Sequence, residues 1–465
     1  MHGPLTVKNL LRYAKSPSAT VKEVQGWIKS VRILKKMAFI DLSDGTSSQT
    51  LKIVVPRQDG TILKQLRTGQ SLKIAEAIWK PTPTREQPFE LEAKADDLKI
   101  LGSVPENYPL QKKYHTLAFL RTLPTLKHRS NYLGALLRFR SIVENSLSEF
   151  FTSRDFTKTN PPILTAADCE GAGELFSVNA QSSKGNSDVN SYFGKSTYLT
   201  VSGQLHLEVL ALALGRCWSL IPCFRAEESD TNRHLSEFWM LEAEISFVDD
   251  VRVLTSLVED GIKHVVQSCL AQKTSIFPTI VPQEGAESPE MAIKLWEDIV
   301  NKSWPVLTYT EAISLLEKQH DSIQKFTFPP QWGQALQSEH EKWLASYFNA
   351  PVFVIDYPRD CKAFYMKQNS DGKTVACFDL VVPKMGEIVG GSIREDNYEL
   401  LVQEMERRNM NMPSMEWYLS LRQNGSAPHG GFGLGLERLV AWLFGAQNVR
   451  DGVPFYRSAN GSIEL

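Results

Sequence analysis

The chain has 465 residues, too many for one ordinary hydrophobic core and suited to two or three domains. Hydrophobic residues make up 42% and charged residues 22%, an ordinary globular balance, and 51 basic against 53 acidic residues give a formal charge of -2. This excludes a globally basic nucleic-acid binder, so a polyanion has to meet a local patch, and no apolar run reaches the ~18 residues that suggest a membrane span.

The N-terminal stretch has no acidic residue before Glu23, while Lys8, Arg12, Lys15 and Lys22 are basic and Leu10, Leu11 and Tyr13 lie among them. Such a start suits a mitochondrial transit peptide and suits equally well a basic first helix or an irregular leader. From Val21 to about Ile100 the pattern is strand-like. "VQGWIKSVR" alternates apolar and polar residues, "MAFIDLSDGT" ends in an Asp-Gly turn, and "QTLKIVV", "SLKIAEAIW" and "FELEAKADDLKIL" read as further strands. Five short strands parted by Gly, Pro and Asp turns predict a small barrel over residues 1–100. Residues 101–130 carry three prolines and many bases and read as a linker or hinge. Residues 131–465 open on helical spacing in "YLGALLRFRSIVENSLSEFF" and then mix strands and helices without a regular βαβ rhythm. That mixture predicts an antiparallel α+β domain, with a largely helical insertion around 249–350. The six cysteines, Cys169, Cys217, Cys223, Cys269, Cys361 and Cys377, form no CxxC pair and are expected as reduced, buried thiols.

"HGGFGLGLERLVAWLFG", residues 429–445, is the first unusual stretch. Leu436, Leu439, Val440, Leu443 and Phe444 follow the spacing of a core-facing helix, stopped by Gly445. With Ala441 and Trp442 on the other sides, Arg438 has no evident solvated face, and a buried arginine needs an anionic partner. The glycines before it strip a strand of side chains and let a ligand or a backbone lie close. A bound phosphate and an internal salt bridge, through Glu437 or another acid, both satisfy this pattern. The spacing GxGxG is not a Walker or dinucleotide loop.

"PCFRAEESDTNRHLSEFWMLEAEISF", residues 222–247, reads as a long hairpin with "ESDTNRH" as its loop. Arg225 and Glu227 are expected on one face, and Glu242 and Glu244 likewise share one. Such a face is either a salt-bridge ladder or a site for a zwitterion and a phosphate. "MGEIVGGSIRED" adds Glu387 and Arg394 around Gly390 and Gly391, after a hairpin centred on Asp371-Gly372 that ends at Asp379. Glu387 and Asp379 are hard oxygen ligands suited to Mg²⁺ on a polyphosphate, or else paired charges of a surface turn.

Together these stretches resemble the class II aminoacyl-tRNA synthetases. "FRAEESDTNRHLSEFWMLEAE" resembles their motif 2, "GGFGLGLERL" their motif 3, and "FTKTNPPIL", ending near Pro162, their dimer-interface motif 1. "ADCEGAGELF", "VSGQLHLE" and "GEIVGGSIRE" look like the asparaginyl members of the subgroup that carries an N-terminal OB-fold. The resemblance spans about Val21 to Leu465. It implies an OB-fold anticodon-binding barrel followed by a catalytic antiparallel sheet flanked by helices, working as a homodimer, with no membrane role. It implies ATP with Mg²⁺, L-asparagine and the asparagine tRNA as partners.

The roles it implies are specific. Arg225 would hold the α-phosphate and the attacking carboxylate, Glu227 the adenine side, and Phe238 would stack on the adenine. Arg233 and His234 would reach the outer phosphates, and Arg438, after Gly435, the γ-phosphate. Glu387 and Asp379 would hold Mg²⁺, and Glu170, Gln204, Glu242 and Arg394 would surround the amino acid. On the barrel, Phe39 would stack on an anticodon base, with Arg32 and Lys52 beside it; Lys52 stands where the family usually has glutamine. Asparagine is expected over aspartate because Glu242 can accept from a side-chain amide and would repel a carboxylate, the alternative being that Glu242 only anchors the α-amino group. Leu207 also stands where aspartyl relatives carry a lysine. The alternatives are an aspartyl or relaxed-specificity synthetase, an amidoligase making free asparagine, and a non-catalytic RNA-binding relative. The expected location is mitochondrial, with cytoplasmic as the alternative.

Overall fold

A computed structural model describes all residues except 1–4, 13–19, 57–60, 86, 167–174, 180–191, 230, 278–282, 323–324, 411, 462 and 464–465. The chain packs as two compact units, Met1–Phe139 with Gln272–Pro289, and Arg140–Ala271 with Glu290–Leu465.

The first unit begins with α1 (Val7–Arg12) and six strands, β1 (Thr20–Ile33), β2 (Met37–Ser43), β3 (Leu51–Pro56), β4 (Ser71–Pro81), β5 (Phe89–Glu92) and β6 (Leu98–Gly102). β1 pairs with both β2 and β4, and β3 and β4 both pair with β5, so the sheet closes into a barrel. The period-2 rule places Ala38, Ile40 and Leu42 of β2 and Leu51, Ile53 and Val55 of β3 inside, where all are buried. Val7 and Leu10 of α1 join the same core. Two details depart from the sequence pattern. β1 starts earlier than its alternation suggests, because Glu23 at φ 58° breaks the in–out rhythm. The last predicted strand is two, divided by a 3₁₀ turn at Ala95–Asp97. The stretch read as a linker holds α2 (Leu117–Arg121), whose N-terminal Phe119 N–H is capped by the Thr116 side chain. α3 (Asn131–Thr152) follows.

The second unit is built on an eight-stranded sheet. Its strands are β7 (Thr157–Lys158), β10 (Arg216–Phe224), β11 (Glu237–Ser246), β12 (Val306–Thr308), β13 (Val352–Ile355), β14 (Cys377–Val382), β15 (Gly386–Ile393) and β16 (His429–Gly435); β8 (Leu164–Thr165) and β9 (Tyr198–Leu199) pair separately. The sheet order is β12-β13-β14-β15-β16-β11-β10-β7. The strands from β13 to β10 pair antiparallel, as the missing βαβ rhythm predicts, and only the end pairs β12–β13 and β7–β10 run parallel among the described residues. The helices are α4 (Gln204–Leu214), α5 (Val251–Ala271), the short α6 (Lys273–Ile276) that belongs to the first unit, α7 (Pro289–Asn301), α8 (Tyr309–Ser322), α9 (Ser338–Phe348), α10 (Tyr398–Arg407), α11 (Glu416–Gln423) and α12 (Leu436–Phe444). Among the described residues, no helix is long and apolar enough to cross a membrane.

The predicted helix after the glycine strand is α12, stopped by Gly445 at φ 76°. Its two charged residues divide their work. Glu437 is buried, accepts from Arg140 Nη1 at 2.7 Å and from the Trp239 backbone N–H at 3.0 Å, and so ties α12 to α3 and β11. Arg438 is thereby left for other partners. Earlier in the chain, Glu404 of α10 accepts from Arg359, Arg407 and Arg408. Burial raises its carboxyl, but those three guanidinium groups together hold it down at about 2. A carboxyl lower in the folded state than its ordinary value near 4.5 stabilises the fold above that value and loses the contribution as pH falls toward about 2. Glu404→Gln is therefore expected to cost on the order of 3 kcal/mol in urea unfolding at pH 7. The difference from the unsubstituted protein should close as the pH is lowered from 4.5 to 2.

Candidate active site

The floor of the site is the run β15-β16-β11. In register, Glu242 of β11 faces Ser219 of β10 and Gly433 of β16, and Glu244 faces Gly431. The two carboxylates share a sheet face, as the alternation predicts. Gly431 has to be bare, since a Cβ there would lie 1.9 Å from Glu244 Oε2. Gly391, the neighbour on β15, would meet the Phe378 ring at 2.5 Å. Over this floor opens a cavity of about 580 Å³, lined among others by Gln204, Arg225, Phe238, Asp379, Glu387 and Arg438.

One end is cationic. Arg438 Nη1 donates to the Glu387 carbonyl at 3.0 Å and lies 3.6 Å from its carboxylate, while Nε reaches the Arg233 carbonyl at 3.4 Å. Arg233 comes from the loop between β10 and β11. It donates to Ser338 at 2.5 Å and meets Glu341 of α9 at 3.3 Å. Glu341 also accepts from the Glu387 backbone N–H at 3.0 Å, so one carboxylate of the helical segment sets both the loop arginine and the start of β15. Arg225 lies one residue beyond β10 rather than within it. Its guanidinium stands 5.4 Å from the Phe238 ring centre and 3.9 Å from Glu227. His234 Nδ1 sits 2.6 Å from the Thr231 hydroxyl, and burial, then Arg438, pushes its imidazole below the ordinary histidine range. Gly435 caps the N-terminus of α12 beside Arg438.

The acidic pair lies on the same cavity. A Cβ on Gly390 would be 3.1 Å from Glu387 Oε1 and 3.4 Å from Asp379 Oδ1, so both carboxylates converge above a bare strand. Lys362 already bridges one of them, with Nζ at 2.7 and 2.6 Å from the two Asp379 oxygens and 4.0 Å from the Tyr357 ring centre. Burial opposes the charged lysine, yet Asp379 holds its ammonium above the ordinary value. Burial also pushes Glu387 up, but Arg438, Lys362, Arg233 and Arg225 outweigh it and keep the carboxyl below its usual range. An oxygen-only pair that already draws in a lysine cation fits Mg²⁺.

At the other end the carboxylates are hydrogen-bonded within the protein. Glu242 accepts from the Ser202 hydroxyl and, at 2.8 Å, from the Gly203 N–H. Arg394 is buried and lies bidentate on Glu244, at 2.9 Å from each carboxylate oxygen. Gln204, the first residue of α4, and Leu207 line the wall. Glu170 lies outside the described residues. Pro162 is exposed just before β8.

On the barrel, Phe39 alternates with buried Ala38 and Ile40, is half-buried, and pairs in register with Arg32, which is exposed. Lys52, one row on, is tethered to Asp41 at 2.5 Å. Of the cysteines, Cys217, Cys223, Cys269, Cys361 and Cys377 form no disulfide, and all but Cys361 are buried. Burial pushes the thiols of Cys217, Cys269 and Cys377 up to about 12.

Sequence reading missed Lys362, Glu341 and the Glu244 clamp on Arg394. Lys362 sits in an unremarkable "DCKAF", and Glu341 is an ordinary-looking helix carboxylate. The carboxylate–glycine facing of Glu244 and Gly431 was the one available signal for the clamp.

The geometry places Arg225, Arg233 and Arg438 with the Asp379–Glu387 pair at one end of the cavity, and Gln204, Glu242 and Arg394 at the other, over one antiparallel sheet. A family model of class II tRNA synthetases of the D, K and N group matches residues 119–459, and an OB-fold nucleic acid binding domain matches 23–101. The chain belongs to the class II tRNA synthetases. Within them it is 54% identical, over all of its own length and 97% of the relative, to the mitochondrial asparagine–tRNA ligase of Saccharomyces cerevisiae. The mitochondrial enzyme of Schizosaccharomyces pombe is 41% identical over 99% of this chain and 98% of that one. The structure of Pyrococcus horikoshii asparaginyl-tRNA synthetase complexed with asparaginyl-adenylate superposes at a TM-score of 0.85, with 28% identity and full coverage of both chains.

If Lys362 holds a site made for cations, Lys362→Met leaves Asp379 buried beside Glu387 with no counter-charge. Its thermal midpoint should fall in EDTA by the equivalent of about 3–5 kcal/mol. Added Mg²⁺ should raise that midpoint more than it raises that of the unsubstituted protein.

Proposed function

We propose that the protein is a mitochondrial asparagine–tRNA ligase that joins L-asparagine to its tRNA through asparaginyl-adenylate. The observation that carries this reading is Glu242. It is fixed by Ser202 and Gly203 on the lining of the cavity, with Leu207 also on the wall, and an ionised carboxylate there can only accept, which suits an amide NH₂. Aspartate would bring a second carboxylate to the same oxygens. The mitochondrial placement rests on the two fungal relatives.

In the first step a carboxylate oxygen of asparagine attacks the α-phosphorus of ATP. The new O–P bond forms as the bond to the bridging oxygen breaks, and pyrophosphate leaves. Arg225 meets the charge on the α-phosphate, while Arg438, Arg233 and His234 hold the outer phosphates in a bent path. Fixed donors of this kind, pre-aimed in a partly dry cleft, supply most of the barrier lowering. Phe238 and Glu227 take the adenine. Asp379 and Glu387 would hold Mg²⁺, which supplies additional positive charge to the phosphate oxygens. Gln204, Glu242 and Arg394 hold the amino acid. In the second step a ribose hydroxyl of the tRNA attacks the acyl carbon and AMP leaves. Phe39 stacks on an anticodon base with Arg32 and Lys52 near its phosphates, and the chain acts as a homodimer through the segment around Pro162.

ATP–pyrophosphate exchange measured separately with each amino acid is the test. Exchange should depend on asparagine, and aspartate at equal concentration should support less than one part in ~10³ of it. Equal exchange with aspartate would refute the assignment. Arg438→Ala should lower exchange at subsaturating ATP by roughly 10²–10³.

A further inference from the structure

Behind the amino-acid end lies a carboxylate that the reaction does not touch. Glu208 is one turn along α4 from Gln204 and has no exposed surface. Its Oε1 accepts from the Tyr418 hydroxyl at 3.0 Å and from Gln204 Nε2 at 3.1 Å. Its Oε2 accepts from Tyr418 at 2.8 Å and Arg422 Nη2 at 2.8 Å, and lies 3.0 Å from His429 Nε2. Arg394 Nε is 4.0 Å away. Glu208, Glu244 and His429 are close enough together to suggest a cation site. Arg422 and Arg394 already fill that role.

An ionised carboxylate only accepts hydrogen bonds. Burial alone would protonate Glu208, but Arg422, His429 and Arg394 hold its carboxyl far below the usual range. A primary amide is trigonal, with its nitrogen and oxygen at opposite corners. Pinning Gln204 Nε2 on Glu208 therefore turns Oε1 toward the cavity that Gln204 lines. An acceptor there suits an ammonium group; the flipped amide would present two donors and repel it.

We propose that Glu208 is a positioning residue that fixes the amide orientation of Gln204, so that the site demands a free α-ammonium group on its substrate. This rests on the reading of the cavity as an amino-acid site. Tyr418 and Arg422, both on α11, and His429, the first residue of β16, anchor the carboxylate from two further elements.

The test compares asparagine with succinamic acid, the same molecule without its ammonium group, by calorimetric binding in the presence of a non-hydrolysable ATP analogue. The unsubstituted protein should prefer asparagine strongly. Glu208→Gln, whose amide can donate or accept, frees Gln204 to flip. It should weaken asparagine by about tenfold to a hundredfold and leave succinamate nearly unchanged. In exchange assays the loss should fall on KM for asparagine more than on kcat. Gln204→Glu alone sets two carboxylates face to face and should bind asparagine poorly; the swap Gln204→Glu with Glu208→Gln restores one acceptor facing the cavity and should recover at least tenfold. An unchanged asparagine-to-succinamate ratio in Glu208→Gln, or no recovery in the swap, overturns the proposal. If the Glu208 variants do not fold, the unsubstituted protein decides by NMR. Slow solvent exchange of the Gln204 side-chain NH₂ with and without asparagine supports the pinned amide, and fast exchange overturns it. Failure of the unsubstituted protein to bind asparagine or support exchange would instead refute the amino-acid site itself.

Discussion

Arg394 lying flat on Glu244, deep in the sheet and above a glycine that has no room for a side chain, is the contact on which the second unit turns. Neither charge could be buried alone, since an isolated ion in such surroundings costs several kcal/mol after relaxation. The bidentate fork removes that cost and fixes a planar guanidinium at the bottom of the cavity. It also dictates local sequence. β16 has to be bare at 431, and β11 has to alternate so that Glu242 rises beside Glu244. The pocket is then already polar and rigid before a substrate arrives, and little has to reorganise when charge develops.

The same logic extends to the opposite end of the cavity. Lys362 sits on Asp379, Arg438 and Arg233 sit on the start of β15, and Glu341 reaches in from α9 to hold the loop and the strand together. The helical segment between β11 and β13 is therefore tied to this end of the cavity through Glu341 and Ser338 of α9. Glu437 and Arg140 do the corresponding structural work at the base of α12, which leaves Arg438 free to turn toward the cavity.

Much of this architecture was legible from residue order. Period-2 alternation marked the barrel strands and the two walls of the long hairpin, and the apolar spacing after Gly435 with Gly445 behind it marked α12. The choice between Glu437 and a phosphate as the partner for Arg438 was not legible, because spacing along a helix does not tell which residue another element will claim. Tertiary placement gives Glu437 to Arg140 and Trp239 and sets Arg438 beside Glu387. Lys362, Glu341 and Glu208 were invisible for a related reason. Each makes its important contacts across 17 or more positions of sequence, to Asp379, to Arg233 and Glu387, and to Tyr418, Arg422 and His429. No local pattern records such pairings. The barrel boundaries slipped where one left-handed residue, Glu23, and one 3₁₀ turn interrupted the alternation.

The closed pairing of charges around Arg394 has an implication for how such a pocket changes over generations. Altering the amino acid it accepts by replacing one ionic residue first strands that residue's partner without a counter-ion, and the fold weakens before any new preference appears. Variants with a different selectivity are then reachable mainly through paired replacements or from an ancestor with stability to spare. The structure guards its choice of substrate with the same contacts that keep it folded.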